Sequence, residues 1–308
     1  MVVPSRLLRP SPSSVHHKYT QSTSVKRFGV EKCYSGLHME NTSLKTRSRL
    51  TVVAIGVLLT VLASFVMRVE LLVAWENTAY VVAPSAERAY HYGSRHFDAV
   101  YPSFYDIERA EYFFEETRKR DSSHIYVHHQ LARIAFLRGD FEEALTLVET
   151  QIALHGESVP SSFYVGGLIL GFMERYAEAA ESFEAYLEHA PNNWAAVNDY
   201  AWVLLKDARS EEALAVLEEL LNKKQENAWL LNSAAIAAYE TGDFEKALDY
   251  IERASEHVEN VTKEKWLTAY PGNDPRVAEE GIAALKEAIA RTMHSVSQKV
   301  GDSALQSE

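Results

Sequence analysis

Cysteine is almost absent from this chain: among 308 residues there is one, Cys33. A single thiol excludes an internal disulfide framework and a cysteine-built metal centre. Nor does Cys33 follow an apolar run in the small-residue setting of a lipid-modified cysteine. Recognisable chemistry is equally sparse. There is no phosphate-binding glycine loop, since Gly166-Gly167 falls inside a helical pattern, and no nucleophile elbow or Ser/His/Asp set. His124, His128 and His129 invite a metal reading because His124 and His128 stand four apart. No second Cys/His cluster or paired Glu completes a site, so they are expected on a solvated helix start. Glu142-Glu143, Glu211-Glu212 and Glu279-Glu280 recur where helices begin, where acidic groups complement the helix dipole. No catalytic residue, cofactor or metal is expected, and enzymatic activity is not.

Positive charge is scarce except at the start. The chain has 31 Lys and Arg against 43 Asp and Glu, a net of −12. Residues 1–49 carry nine basic and two acidic side chains, a net of +7, so the remainder is left with −19. That balance repels phosphate and excludes nucleic acid as a partner of the acidic part.

What the chain has is a period. Ala144, Ala179, Ala213 and Ala247 follow one another at steps of 35, 34 and 34 residues. Twelve residues before each stands another small residue: Ala132, Gly167, Ala201 and Ala235. A recurrence of this length marks a helical repeat array. Each unit reads as helix–turn–helix, the first from Ile125 to Gly156 with Leu131, Ala135, Leu145, Val148 and Ile152 at helical spacing. Its turn is Arg138-Gly139-Asp140-Phe141, where glycine releases one helix and aspartate can cap the next. Glu240-Thr241-Gly242-Asp243-Phe244 repeats the formula, while the middle turns at Met173-Glu174-Arg175-Tyr176 and Asp207-Ala208-Arg209-Ser210 lack the glycine. The small pairs suit the crossing of two antiparallel helices, and Val148, Phe183, Leu217 and Ile251 fill the next layer.

On these residues the chain resembles the tetratricopeptide repeat family, which has a period of about 34 residues and small side chains at two fixed positions. The family's aromatic position is filled by Phe141, Tyr176 and Phe244 and broken by Ser210; its closing proline appears once, in Ala190-Pro191. The resemblance implies an all-α fold, a right-handed α-solenoid of antiparallel helix pairs, with four repeats over residues 123–260. One register earlier, Ala110 with Phe113, Phe114 and Thr117 marks a degenerate capping repeat over 85–122. After the breaker cluster Pro271-Gly272-Asn273-Asp274-Pro275, a C-terminal capping helix is expected within 261–300 and a flexible tail over 301–308.

Residues 50–67 carry no charge and only Thr51, Thr60 and Ser64 as polar side chains. At about 1.5 Å per residue such a run covers roughly the thickness of a bilayer core. A transmembrane helix is therefore expected at 50–67, followed by a linker over 68–84 with Trp75 and Tyr80 at the interface. Lys45, Arg47 and Arg49 flank the run, so the N-terminus belongs in the cytoplasm and the repeats across the membrane, periplasmic or extracellular. An uncleaved signal anchor and a cleaved signal sequence both remain open. Residues 1–49 read as a disordered basic segment, of which 1–38 look dispensable, with Met39 as an alternative start.

In tetratricopeptide proteins the first helix of each pair lines a concave groove that accepts peptides. The matching positions here are Tyr126, His129, Arg133 and Phe136; Tyr164, Leu168 and Phe172; Asn198, Trp202 and Leu205; and Trp229, Asn232, Ile236 and Tyr239. Asn198 and Asn232 are 34 residues apart, and repeated amides suit bonding to a peptide backbone. Val165, Ala195 and Asp199 occupy places where the family's clamp for C-terminal carboxylates uses polar or basic groups, so that role is not implied. The expected function is a membrane-anchored scaffold for a protein or peptide partner, in the assembly of an envelope or membrane complex. Self-association through the membrane helix is the alternative, since Gly56, Thr60 and Ser64 recur at four-residue spacing and suit a homo-oligomer.

Overall fold

The computed structural model describes residues 41–98, 102–223 and 226–306. Cys33, Met39 and the expected disordered arm at 1–38 lie outside the described residues. Within them the chain is all helical, with no strand, and divides into two units, one ending at Trp75 and the other starting at Glu76.

The first unit holds helix α1 (Asn41–Val66) and the start of α2 (Arg68–Val82). Helix α1 begins nine residues before the apolar run, within the segment expected to be disordered. Among the described residues no single helix is long and apolar enough to cross a membrane; Thr51–Phe65 and Arg68–Val82 pass only as a bent pair. The expectation of one spanning helix at 50–67 is thus not met, because the helix breaks at Met67 and Arg68 and Glu70 follow at once. The apolar side chains of α1, from Val52 to Phe65, are exposed. Inside that helix the Thr60 hydroxyl donates to the Gly56 carbonyl at 2.8 Å.

The second unit begins with the end of α2, where a linker was expected. Glu76 and Tyr80 are buried there. Glu76 accepts hydrogen bonds from Arg95 at 2.7 Å and Arg109 at 3.4 Å, and lies 2.8 Å from His96 Nε2. Tyr80 packs edge-on against Phe113 and receives a hydrogen bond from Arg120 at 2.7 Å. Tyr80 is therefore a core residue rather than an interfacial one, while Trp75 is exposed.

Five antiparallel pairs follow: α3 (Ala86–Phe97) with α4 (Ile107–Arg120), α5 (Val127–Arg138) with α6 (Phe141–His155), α7 (Ser161–Phe172) with α8 (Tyr176–His189), α9 (Trp194–Lys206) with α10 (Ser210–Asn222), and α11 (Ala228–Glu240) with α12 (Phe244–Val258). A short α13 (Lys263–Ala269) and a 3₁₀ turn (Pro275–Val277) lead to α14 (Ala278–Gln306), which packs on α12 and α11. Helix α14 continues through Gln306, well into the stretch expected to be a loose tail. Side-chain caps start several helices: Ser85, Asp106, Asn193, Asn227 and Asp243 each accept a backbone N–H of the first turn. Asp140 makes no such bond, against expectation. Gly139 and Gly242 leave their helices with φ of 84° and 86°, and in the middle turns Glu174 (61°) and Ala208 (58°) take the same left-handed conformation without glycine.

The eight small repeat positions are all fully inside, and so is Ala110. Their size is matched to the residue sixteen positions on. Ala132, Ala201 and Ala235 stand in register with Val148, Leu217 and Ile251, whereas Gly167 faces the larger Phe183. A Cβ on Gly167 would come within 2.9 Å of the Phe183 ring. The capping pair solves the same problem, since a Cβ on Gly93 would meet Phe114 at 2.7 Å. Gly167→Ala is expected to destabilise the repeats by about 1–3 kcal/mol through overpacking. Combining it with Phe183→Leu should recover part of that loss. Urea unfolding of the two single variants and the double variant reads the coupling; strictly additive losses would contradict the pairing.

Candidate functional site

Helices α5, α7, α9 and α11 carry the expected groove residues except Tyr126, which precedes α5, and the structure uses them in different ways. Phe136, Phe172 and Trp202 form a ladder of rings between successive repeats. Phe136 meets Phe172 edge-on at 5.1 Å, and Phe172 meets Trp202 at 5.6 Å. Phe141 and Tyr176, from the turns, join the same ladder. Leu168, Leu205 and Ile236 are half-buried, and the two leucines pack against the main core. Tyr239 stacks edge-on against Phe244 of its own repeat. The ring ladder joins successive repeats, whereas Tyr239 packs within its own.

His129 is a core residue. It is 8% exposed, its Nδ1 lies 3.0 Å from the buried Ser162 hydroxyl, and its backbone N–H donates to Gln151 Oε1 at 3.1 Å. Gln151 also donates to the Ile125 carbonyl at 2.7 Å, so it ties the start of α5 to α6. Burial, and next the nearby Arg133 guanidinium, push the His129 imidazole down to about 3. The solvated helix start expected for the histidines is not what forms. His128 is buried with Nε2 2.9 Å from the Ser122 carbonyl, and His124 lies against Tyr90 with a ring separation of 4.4 Å. Their rings diverge to separate partners because each belongs to a different helix contact.

A polar network crosses from α7 to α11. The Tyr164 hydroxyl donates to Asp199 at 2.6 Å, Asn198 donates to Asp199 at 3.4 Å, and Ser233 donates to Asn198 at 2.8 Å. Burial raises the Asp199 carboxyl, with the Tyr164 bond acting against that shift, and it holds the Tyr164 hydroxyl well above its usual range. Asn232, one period beyond Asn198, has a buried Oδ1 with no hydrogen-bond partner. Tyr126 remains exposed, stacked on Tyr90 at 6.2 Å.

Arg133 and Trp229 meet a segment that sequence reasoning treated only as a breaker. The Arg133 guanidinium donates to the Pro271 carbonyl at 2.9 Å, pairs with Asp98 at 3.2 Å and lies 4.6 Å from the Phe97 ring centre. Trp229 Nε1 donates to the Tyr270 hydroxyl at 2.8 Å. Tyr105, from the turn between α3 and α4, donates to the Gly272 carbonyl at 2.9 Å. Burial drives the Tyr105 phenol up to about 12. Residues 270–272 therefore bridge α5, α11 and the capping pair. Nothing in the residue types announced these bonds, because two of them end on backbone carbonyls.

His129 makes the fold sensitive to acid. It is neutral when folded but takes a proton near pH 6.5 once unfolded, so between pH 6.5 and about 3 the unfolded chain holds the extra proton. Stability from this group therefore falls as pH drops through that window, by about 2 kcal/mol at pH 5. His129→Gln should show a smaller loss than the parent between pH 7.5 and pH 5.0 in urea unfolding. Equal losses would remove the assignment.

Residues 173–231 match a family model described as tetratricopeptide repeat, and residues 125–150 match a second model of the same description. No curated protein matches the sequence. Among solved structures the chain is similar to a protein described as a MamA RS-1 ArsTM double mutant, with a TM-score of 0.50 and 16% identity over 56% of this chain and 94% of that one. It is also similar to YrrB, described as a TPR protein with an unusual peptide-binding site, with a TM-score of 0.49 and 18% identity over 60% and 93%. MamA from Desulfovibrio magneticus RS-1 gives a TM-score of 0.40 at 20% identity over 57% and 96%. At 16% identity and a TM-score of 0.50, the first of these likenesses speaks to the fold alone.

Proposed function

Because residues 125–150 and 173–231 are tetratricopeptide repeats, we propose that this chain is an interaction scaffold whose concave groove takes an extended peptide from a protein partner. The observation that carries this reading is Asn232. It stands one period beyond Asn198, whose amide is taken up by Ser233 and Asp199, and its own Oδ1 is buried and without a partner, an acceptor set for a backbone N–H. Tyr164 and Asp199 belong to the same network through Asn198 and Ser233, and Trp229 stands on the same helix as Asn232. The reading assigns no catalytic step to the chain.

Affinity purification of the full chain, compared with Asn198→Ala/Asn232→Ala and with the exposed control Glu149→Ala, tests the proposal. One recurrent partner should be kept by the parent and the control and reduced at least tenfold by the double variant. Retention of every partner by the double variant, or no recurrent partner at all, overturns it.

We also propose that the repeats are tethered to a membrane through the apolar stretch 50–67, in assembly of an envelope or membrane complex. The supporting observation is the row of exposed Val, Ile and Leu side chains on α1, which water disfavours. The basic flank then favours a cytoplasmic N-terminus with the repeats on the far side. Protease added to intact spheroplasts should degrade the repeats; cleavage only once the cytoplasm is exposed would reverse the orientation.

A further inference from the structure

We propose that residues 270–275 are an intramolecular occupant of the groove, held there as a latch that a partner peptide displaces. The inference rests on the groove being the peptide site and adds its regulation. Three side chains from three separate elements converge on the loop: Tyr105 and Arg133 donate to its Gly272 and Pro271 carbonyls, and Trp229 donates to its Tyr270 hydroxyl. Donation to consecutive backbone carbonyls is how a groove grips an extended peptide.

The loop is shaped for its seat. Gly272 has φ of +86°, and a Cβ there would lie 2.4 Å from Arg133 Nη2 and 3.1 Å from the Phe97 ring. Its backbone bonds are local, from Tyr270 N–H to Trp266 and from Asn273 N–H to Tyr270. The grip on the loop is therefore a matter of side chains, which exchange more readily than a ladder. Both ends are fixed independently of the groove. Trp266 is buried beside Gly281 of α14, where an added Cβ would collide with the indole, and α14, which follows the loop, packs on α12 and α11. Those anchors let the loop leave its seat while α13 and α14 remain docked.

The test needs no known partner. In the full chain, residues 270–274 are replaced by Gly-Ser-Gly-Ser-Gly, and the probe is a fluorescent synthetic peptide with the sequence of residues 268–277. Anisotropy should show the probe binding the loop-replaced chain at least tenfold more tightly than the parent, with a scrambled peptide binding neither. Equal binding to both, or none to a loop-replaced chain that melts cooperatively, overturns the latch. Should the replacement fail to fold, Arg133→Ala provides the readout: exchange of the Asn273 amide, bonded to the Tyr270 carbonyl, should rise at least tenfold while α11 is unchanged. Unaltered exchange at that amide also overturns it. A partner that needs Asn198 and Asn232 yet binds the parent and the loop-replaced chain equally would sink the latch and leave the scaffold standing.

Discussion

The structure depends on how closely two antiparallel helices are allowed to cross. At each crossing one side chain is small enough for the neighbouring backbone to come near, and the residue sixteen places on fills the remaining space. Where that filler is Val148, Leu217 or Ile251, an alanine suffices; where it is Phe183, only glycine leaves room. Because the volumes are complementary within each pair, successive pairs can stack with the same geometry. The regular stacking in turn lines up the first helices and creates the face on which Tyr164, Asn198 and Asn232 are displayed.

The same regularity explains why so much of the expected groove is consumed by packing. Stacked helices leave gaps near the ends of the first helices, and the ladder Phe136, Phe172, Trp202 fills them, with a Cβ on Gly171 approaching Trp202 within 2.5 Å. A repeat can put an aromatic there only by withdrawing it from a ligand. The N-terminal halves of α7, α9 and α11 carry instead the polar set Tyr164, Asn198, Asp199 and Asn232.

Legibility in the sequence followed the range of the interaction. The period and the helix pairs, including the one around Ala110, were readable because each rests on residues of one type at fixed spacing. The left-handed Glu174 and Ala208 were not, since tertiary packing imposes there a conformation that their own propensity disfavours. Tyr80 and Glu76 looked like part of a linker, yet they complete the cap through ion pairs and ring contacts with Arg95, Arg109 and Phe113. Their neighbours Asn77 and Thr78 are polar and Glu70 lies six residues earlier, so neither residue stood out from a linker. The loop at 270–275 gave none: Arg133 and Pro271 are 138 residues apart, and Tyr105 and Gly272 are 167 apart. Bonds to carbonyls carry no residue-type pattern.

The balance of donors and acceptors says why such a loop would be a replaceable occupant. The groove offers it donors at Tyr105, Arg133 and Trp229, and the loop answers with two carbonyls and a hydroxyl. The groove also offers acceptors, and there the loop is poor. Pro271 and Pro275 have no backbone N–H, and the Asn273 N–H is spent on the Tyr270 carbonyl. Asn232 Oδ1 is buried and unpaired, a state that costs about 1–3 kcal/mol relative to a satisfied acceptor. An extended peptide that presents N–H groups as well as carbonyls satisfies both rows. The difference between the two occupants is then a matter of hydrogen bonds left unmade by the loop.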